Sequence, residues 1–284
     1  MASAESSISH DRVTYVRWNG NNFGDNLNDL YFRDVLGIKN ACGNVQELEN
    51  GIFVIGFGTI FNGYLKQGKN AKLIIFGPGY GIITQTPRVE CSILFVRGPL
   101  TCKCLGLPLS FAITDGAYLL RDKIFSFASE EKKIFKYGLI PHHNFFSKKT
   151  FTKAQNKNEN LQLIDPTLPV PDFIKKVAQC EKFICESLHG AILADILSIP
   201  FCIRQTSPHF DSFKFLDWTS SVEIDLNLEG LLVDEIKPAD FDNAVFTNSR
   251  QHIKEERYKL LFEKEEELKY QVLNKNWKNL FFRY

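Results

Sequence analysis

The feature that most restricts what this chain can become is a repeated unit: a short apolar run that ends in a glycine-rich loop. Val13-Thr14-Tyr15-Val16-Arg17-Trp18 runs into a loop spanning Asn19 to Asn26, and Ile52 to Ile55 runs into Gly56-Phe57-Gly58-Thr59. Leu73 to Phe76 ends at Gly77-Pro78-Gly79-Tyr80-Gly81, Cys91 to Val96 at Arg97-Gly98-Pro99, and Phe111 to Thr114 at Asp115-Gly116-Ala117. Runs of this length and composition, bounded by Gly and Pro, read as strands. Helical patterns follow several of them: Leu27 to Leu36, closed by Gly37, and Leu100 to Leu105, with Pro99 suited to its first turn. Strands alternating with helices predict a doubly wound α/β sheet, with ligands beyond the strand ends.

The glycine clusters exclude two common chemistries. Gly56-x-Gly58 lacks the third glycine of a dinucleotide fingerprint, and Gly77-x-Gly79-x-Gly81 precedes no clean helix. No Gly-Lys-Ser/Thr loop for nucleotide phosphates is present either.

A charged stretch, Arg121 to Lys133, reads as a linker, and the pattern then starts again. Lys136 to Ile140 ends at Pro141-His142-His143-Asn144, and Leu161 to Ile164 ends at Asp165-Pro166. An amphipathic helix from Phe173 to Cys180 follows, then strands at Phe183 to Cys185 and Phe201 to Arg204. The expected organisation is a first α/β half over residues 1–125, a second over 126–236, and a helical extension over 237–284. Two sheets facing across a cleft would gather both sets of strand-end loops around one site.

Within the second half, Phe183 to Asp195 is strand, tight turn, helix. Ser187 stands at the N-cap and His189 in the first helical turn. A helix start favours anions, and a histidine there can exchange a proton near neutral pH. The plain alternative is a histidine that only caps a core helix.

Composition narrows the partners. A formal net charge of +1 over 284 residues argues against a nucleic-acid binder. The seven cysteines lie mostly in apolar runs, and Cys102 and Cys104 have no second Cys/His pair at zinc spacing, so unpaired thiols and no metal are expected. No secretory or membrane-spanning segment stands out, which predicts a cytoplasmic home. Residues 1–10 read as a disordered leader. The basic, aromatic tail Trp277 to Tyr284 is a candidate for contact with an anionic membrane face, against packing on the body.

In order and spacing these pieces resemble the polysaccharide pyruvyltransferases, which move a pyruvyl group from phosphoenolpyruvate onto a sugar. The resemblance rests on Asn22-Phe23-Gly24-Asp25-Asn26-Leu27, Gly56-Phe57-Gly58-Thr59-Ile60, Val96-Arg97-Gly98-Pro99-Leu100-Thr101 and Asp115-Gly116-Ala117. In the second half it rests on Pro141-His142-His143, Ile164-Asp165-Pro166, Glu186-Ser187-Leu188-His189-Gly190-Ala191 and Lys214-Phe215-Leu216-Asp217-Trp218. It covers about residues 15–220 and implies two Rossmann-like domains arranged as in GT-B glycosyltransferases, the acceptor on the first and the donor on the second. Two positions depart from the family pattern. Ser187 stands where some members carry an arginine, and Phe57 where many carry a serine. The missing arginine shifts the holding of the donor anion to Arg97, the helix start or Arg204.

The implied chemistry needs an anion clamp, a proton donor and a base. His189 is the expected acid and Asp25 the expected base, with helix capping as the alternative for Asp25. Arg97, Ser187, Leu188, His142 and Arg204 are expected around the donor. Asn22, Lys214 and Trp218 are expected around the acceptor, with core packing as the alternative for Trp218. The reaction so read uses no cofactor beyond the donor substrate. The acceptor is expected to be a galactose-type sugar of a surface polysaccharide or glycolipid, free or lipid-linked at the inner membrane face. A sugar-nucleotide glycosyltransferase of the same architecture is the alternative, and a scaffold using the C-terminal helix is a third reading.

Overall fold

The computed structural model describes residues 13–18, 20–43, 47–60, 66–81, 90–143, 158–205, 207–208, 210–226, 229–230 and 244–274. The leader at 1–10 and the tail at 277–284 lie outside the described residues.

Two parallel sheets carry the fold. The first holds β1 (Val13–Arg17), β2 (Asn40–Gly43), β4 (Gly51–Ile55), β6 (Ala71–Phe76) and β7 (Cys91–Phe95) in the order β2-β1-β4-β6-β7. Short strands β3 (Glu47–Leu48) and β5 (Lys66–Gln67) pair with each other beside it. The second holds β8 (Phe135–Ile140), β9 (Leu161–Leu163), β10 (Cys180–Cys185), β11 (Phe201–Gln205) and β12 (Glu229–Gly230) in the order β12-β11-β10-β8-β9. The first sheet is buried on both faces, as parallel strands require. Along β4 and β6, Val54, Ile74 and Phe76 face one apolar cluster, and Phe53, Ile55, Leu73 and Ile75 face the other. That alternation is the period of two of an extended chain.

Each sheet reverses its winding once. In the first, β2 lies on one side of β1 and β4 on the other; in the second, β9 and β10 flank β8. At such a reversal the outgoing loops diverge and leave a crevice at the carboxyl ends of the strands.

The helices are α1 (Phe23–Asn28), α2 (Pro99–Cys104), α3 (Arg121–Ala128), α4 (Val170–Ala178), α5 (Leu188–Ile196), α6 (Ser212–Ser221) and α7 (Gln251–Asn274). Several differ from the sequence expectation. The first helix starts at Phe23 rather than Leu27, because the Asn22 side chain caps it by accepting from the Asp25 N–H at 3.1 Å. It then widens into a π-helical turn, Asp29–Val35, and ends at Gly37, whose φ of +73° suits glycine. The run Phe111 to Thr114 is not a strand. Pro108 starts a 3-10 turn at Leu109–Phe111, and only a single bridge, Val96 to Ala112, extends the sheet edge. The charged stretch Arg121 to Lys133 is mostly α3, with Ile124 buried. Edge strand β2 carries no apolar run and gave no sequence signal.

The two halves share one apolar cluster, which includes Val13, Tyr31 and Phe76 together with Phe173, Phe183 and Trp218. Phe23 of α1 stacks on Phe173 of α4 at 4.1 Å. The C-terminal helix joins the same core through Ile253, Leu261, Leu268 and Val272. Asp195 of α5, fully buried, accepts from the Tyr118 hydroxyl (2.7 Å), the Ser249 N–H (2.7 Å) and the Ser249 hydroxyl (2.5 Å). Lys254 on α7 adds an ion pair at 3.6 Å. No helix among the described residues is long and apolar enough to cross a membrane.

Candidate active site

A cavity of about 300 Å³ opens where the two sheet reversals meet. From the first sheet come Trp18, Asn22 and Asp25 after β1, and Gly58, Thr59 and Ile60 after β4. From the second come His142 and His143 after β8, and Glu186, Ser187, Leu188 and His189 after β10. Asp211, Lys214 and Phe215 at the start of α6 complete the wall. Seven of the expected site residues are thereby brought together: Asn22, Asp25, His142, Ser187, Leu188, His189 and Lys214.

Three expected residues are not in that wall. Arg97 is fully buried behind it. Its Nε donates to Asp217 at 3.0 Å and its Nη2 to the Tyr80 carbonyl at 2.8 Å. Asp217 also accepts from the Thr101 N–H (2.9 Å) and hydroxyl (2.6 Å), so the pair bolts α6 to α2. Trp218, next along α6, is also fully buried, 5.8 Å from the Phe201 ring. It packs the core and offers no face to a sugar. Arg204 on β11 is buried too, and its Nη1 donates to the Ile203 carbonyl at 3.2 Å. Phe57, where the family pattern suggested serine, belongs to the core beside Tyr31 and Phe32.

Two asparagines shape the first-sheet wall. Asn22 caps α1, and its amide also donates to the Asp25 carboxylate. Asn28, fully buried, accepts from the Phe57 N–H at 2.8 Å and donates to the Phe57 carbonyl at 3.2 Å. That reciprocal pair ties the loop after β4 to α1 and fixes Gly58 near Asp25. Burial pushes the Asp25 carboxyl up to about 6, against the hydrogen bond from Asn22 and the charges of Lys214 and Arg17.

In the second-sheet wall Ser187 caps α5, accepting from the Gly190 N–H at 3.3 Å. The first-turn N–H groups behind it point out of the helix start, where negative charge is favoured. Glu186 ties loops together, accepting from the His142 N–H (3.0 Å) and the Ser207 N–H (2.7 Å) and hydroxyl (2.8 Å). His142 and His143 lie ring against ring at 4.4 Å. Lys214 is the lysine or arginine among the described lining residues, 3.7 Å from Asp211. Burial lowers its pKa, Asp211 working the other way.

His189 sits where the two walls touch. Its Nε2 faces the Asp115 carboxylate at 3.7 Å. Burial lowers its pKa below the usual 6.5; Asp115 opposes this, while Arg97 and Lys214 add to it. The environment of the free site thus favours the neutral imidazole.

Sequence reasoning named Asp115 only as part of a motif and did not single out Trp18, His143, Asp211 or Asn28. Trp18 was findable: an aromatic residue closing the first strand, it stands 45% exposed at the cavity. The others needed the packing of elements distant in sequence.

The family model described as polysaccharide pyruvyl transferase matches residues 5–204. The succinoglycan biosynthesis protein ExoV of Rhizobium meliloti is 33% identical over 205 residues, 72% of this chain and 62% of ExoV, so the matched part spans under two thirds of that relative. An uncharacterised protein of Acanthamoeba polyphaga mimivirus is 25% identical over 231 residues, 75% of either chain.

Proposed function

Because the chain belongs to the polysaccharide pyruvyl transferase family, we propose that its cavity transfers the pyruvyl group of phosphoenolpyruvate onto two hydroxyls of a sugar, closing a pyruvate ketal. The acceptor in this reading is a galactose-type sugar, free or lipid-linked, and the name of the Rhizobium relative, a succinoglycan biosynthesis protein, supports only that it belongs to a polysaccharide. One observation carries the reading: a histidine at a helix start, a carboxyl with pKa about 6 and a partly buried lysine line one crevice where both sheets reverse.

The halves divide the work as in a GT-B enzyme, residues 1–125 on the acceptor side and 126–236 on the donor side. The α5 start, Lys214 and the His142–His143 pair hold the donor's carboxylate and phosphate. Arg97 acts through Asp217 by seating α6, and with it Lys214. Asn22 and Asp25 meet the acceptor hydroxyls, and Trp18 offers the aromatic face that Trp218 does not.

The donor's negative charge opposes the effect of burial on His189 and draws a proton onto the ring. His189 passes that proton to the donor's methylene carbon, which becomes a methyl group. A sugar hydroxyl, giving its proton to Asp25, bonds to C2. The bond between C2 and the phosphate oxygen then breaks, and phosphate leaves with the electron pair. A second hydroxyl adds to C2 and loses its proton. Of the two hydroxyl protons, one balances the new methyl hydrogen and the other leaves with hydrogen phosphate. No cofactor enters this sequence of steps.

A sugar-nucleotide glycosyltransferase would need an acidic residue free to grip ribose. The sequence offers no clear candidate for it, and Glu186, an acidic residue in the cavity wall, holds His142 and Ser207. The deciding experiment incubates the protein with phosphoenolpyruvate and a panel of galactosides, mannosides and N-acetylhexosamines. Phosphate release and a product heavier by one ketal-linked pyruvyl group are expected, both lost in His189→Ala. Consumption of a sugar nucleotide with no phosphate release from phosphoenolpyruvate overturns the reading.

A further inference from the structure

The Asp115-Gly116-Ala117 motif ends a short extended run on the first half, yet its side chain reaches the second. Asp115 is fully buried. Its Oδ1 accepts from the Ala117 N–H at 3.0 Å and lies 3.7 Å from His189 Nε2. Its Oδ2 has no hydrogen-bond partner, and neither does His189 Nε2, although both atoms are shut away from solvent. Buried polar atoms without partners are uncommon and call for a reason. The His189 side chain keeps 11% of its surface exposed, none of it at Nε2. Nδ1, on the side of the ring that faces Gly24, is not among the shut-away atoms and is by elimination the nitrogen left for the cavity that His189 lines.

We infer that Asp115 is the positioning carboxylate of His189: it stands behind the imidazole, keeps a proton on Nε2, and so leaves Nδ1 as the nitrogen that exchanges a proton with the substrate. The inference rests on the proposed function for what that substrate is, but not for the arrangement itself. At 3.7 Å the pair is longer than a hydrogen bond, so in the free site it is an electrostatic contact. Protonation of the ring turns it into a buried ion pair, which draws the two together. The capping bond to Ala117 holds the carboxylate in place while this happens. Gly116 has its own reason to be glycine: a Cβ there would come closer than 3.0 Å to the Phe57 ring. The motif thus sets a carboxylate rigidly under the ring. The charged groups facing His189 are Asp115, Arg97 and Lys214; Asp115 is the one anion of the three, and the one that favours the protonated ring.

The test uses the full chain labelled with ¹⁵N in the histidine rings. In the unaltered protein above the His189 titration point, the Nε2–H tautomer is expected; a neutral Nδ1–H tautomer overturns the inference without any variant. Asp115→Asn keeps an acceptor for the Ala117 N–H. It is expected to move the His189 titration to lower pH by about one unit and to cut kcat ~10- to 100-fold, with the KM for phosphoenolpyruvate moving far less. The basic limb of the pH profile should shift down with it. A folded Asp115→Asn with the titration and pH profile unchanged assigns Asp115 to structure alone. Because the tautomer and titration need no donor, they separate failure of this inference from failure of the pyruvyl-transfer reading.

Discussion

The His189 imidazole occupies the space that a side chain on residue 24 would fill. A Cβ built on Gly24 would lie closer than 3.0 Å to two ring atoms, Nδ1 and Cγ, and at 3.0 Å from a third. The glycine of the first-half loop motif and the histidine of the second-half motif are thus two parts of one contact, 165 residues apart by their numbers.

Gly24→Ala should therefore act on activity and not on folding. Alanine is the better helix former by about 1 kcal/mol, which offsets part of the crowding inside α1. The ring must move, and a displacement near 1 Å costs on the order of 100-fold in rate. Turnover and thermal melting measured on the same sample check this. Full activity in Gly24→Ala means that the ring position is not limiting.

The pH dependence follows from two groups. Turnover needs Asp25 ionised and His189 protonated. Asp25 gains its charge only above about 6, and burial makes His189 lose its proton below the usual 6.5. Plotted as kcat/KM, activity should form a narrow bell with its maximum on the acid side of neutrality. A broad plateau reaching well into alkaline pH contradicts this pair of roles.

Asp25 also carries a stability cost. Its folded pKa lies above the ordinary 3.8, so the folded chain binds the proton more tightly than the unfolded one. Stability then falls as pH rises from about 4 to about 6 and stays lower above that. Asp25→Asn removes this cost while keeping a hydrogen-bonding partner for Asn22. At neutral pH the variant should be inactive yet more stable by about 1 kcal/mol, a figure reduced for the water that reaches a half-buried carboxyl. Melting at pH 7 and pH 4 checks the sign: the gain should shrink at the lower pH.

Arg97 is expected to behave as a structural arginine. Arg97→Met leaves Asp217 charged and buried without its partner, at a cost of about 3–5 kcal/mol. The double variant Arg97→Met/Asp217→Asn should recover much of that loss. If Arg97→Met instead keeps its stability and loses only donor affinity, the guanidinium reaches the donor after all.

The C-terminal helix is part of the body, not an arm for partners. Leu261 is fully buried in the shared core, so Leu261→Ala should cost about 2–5 kcal/mol. Chemical denaturation measures this. A loss below 1 kcal/mol would return the helix to the role of a loosely attached recruiter.

Much of the architecture was legible because parallel strands are locally encoded. Phe183 to Cys185 and Leu73 to Phe76 are apolar on both faces, and glycine ends the second of these runs. Edge strand β2, Asn40–Gly43, was not legible, because an edge strand of small and polar residues has no such signature. Phe111 to Thr114 has the composition of a strand and was overruled by Pro108 and by the single bridge available beyond β7. The site divided in the same way. Ser187 and His189 follow from a cap and a first turn, which are local. Arg97 and Arg204 lie at the ends of strands that the sequence placed correctly, and Trp218 on a helix that it did not place; all three side chains are buried.

What the sequence determined by itself was the alternation of strands and helices, the loops that end them, and the helix start that carries His189, since each depends on neighbours within a few residues. The tertiary structure decided which cations reach the cavity, that Asp115 stands behind His189, and that Gly24 makes room for the ring. Burial and ion pairing are set by chain segments a hundred residues apart, and no local pattern records what the other side of a contact will be.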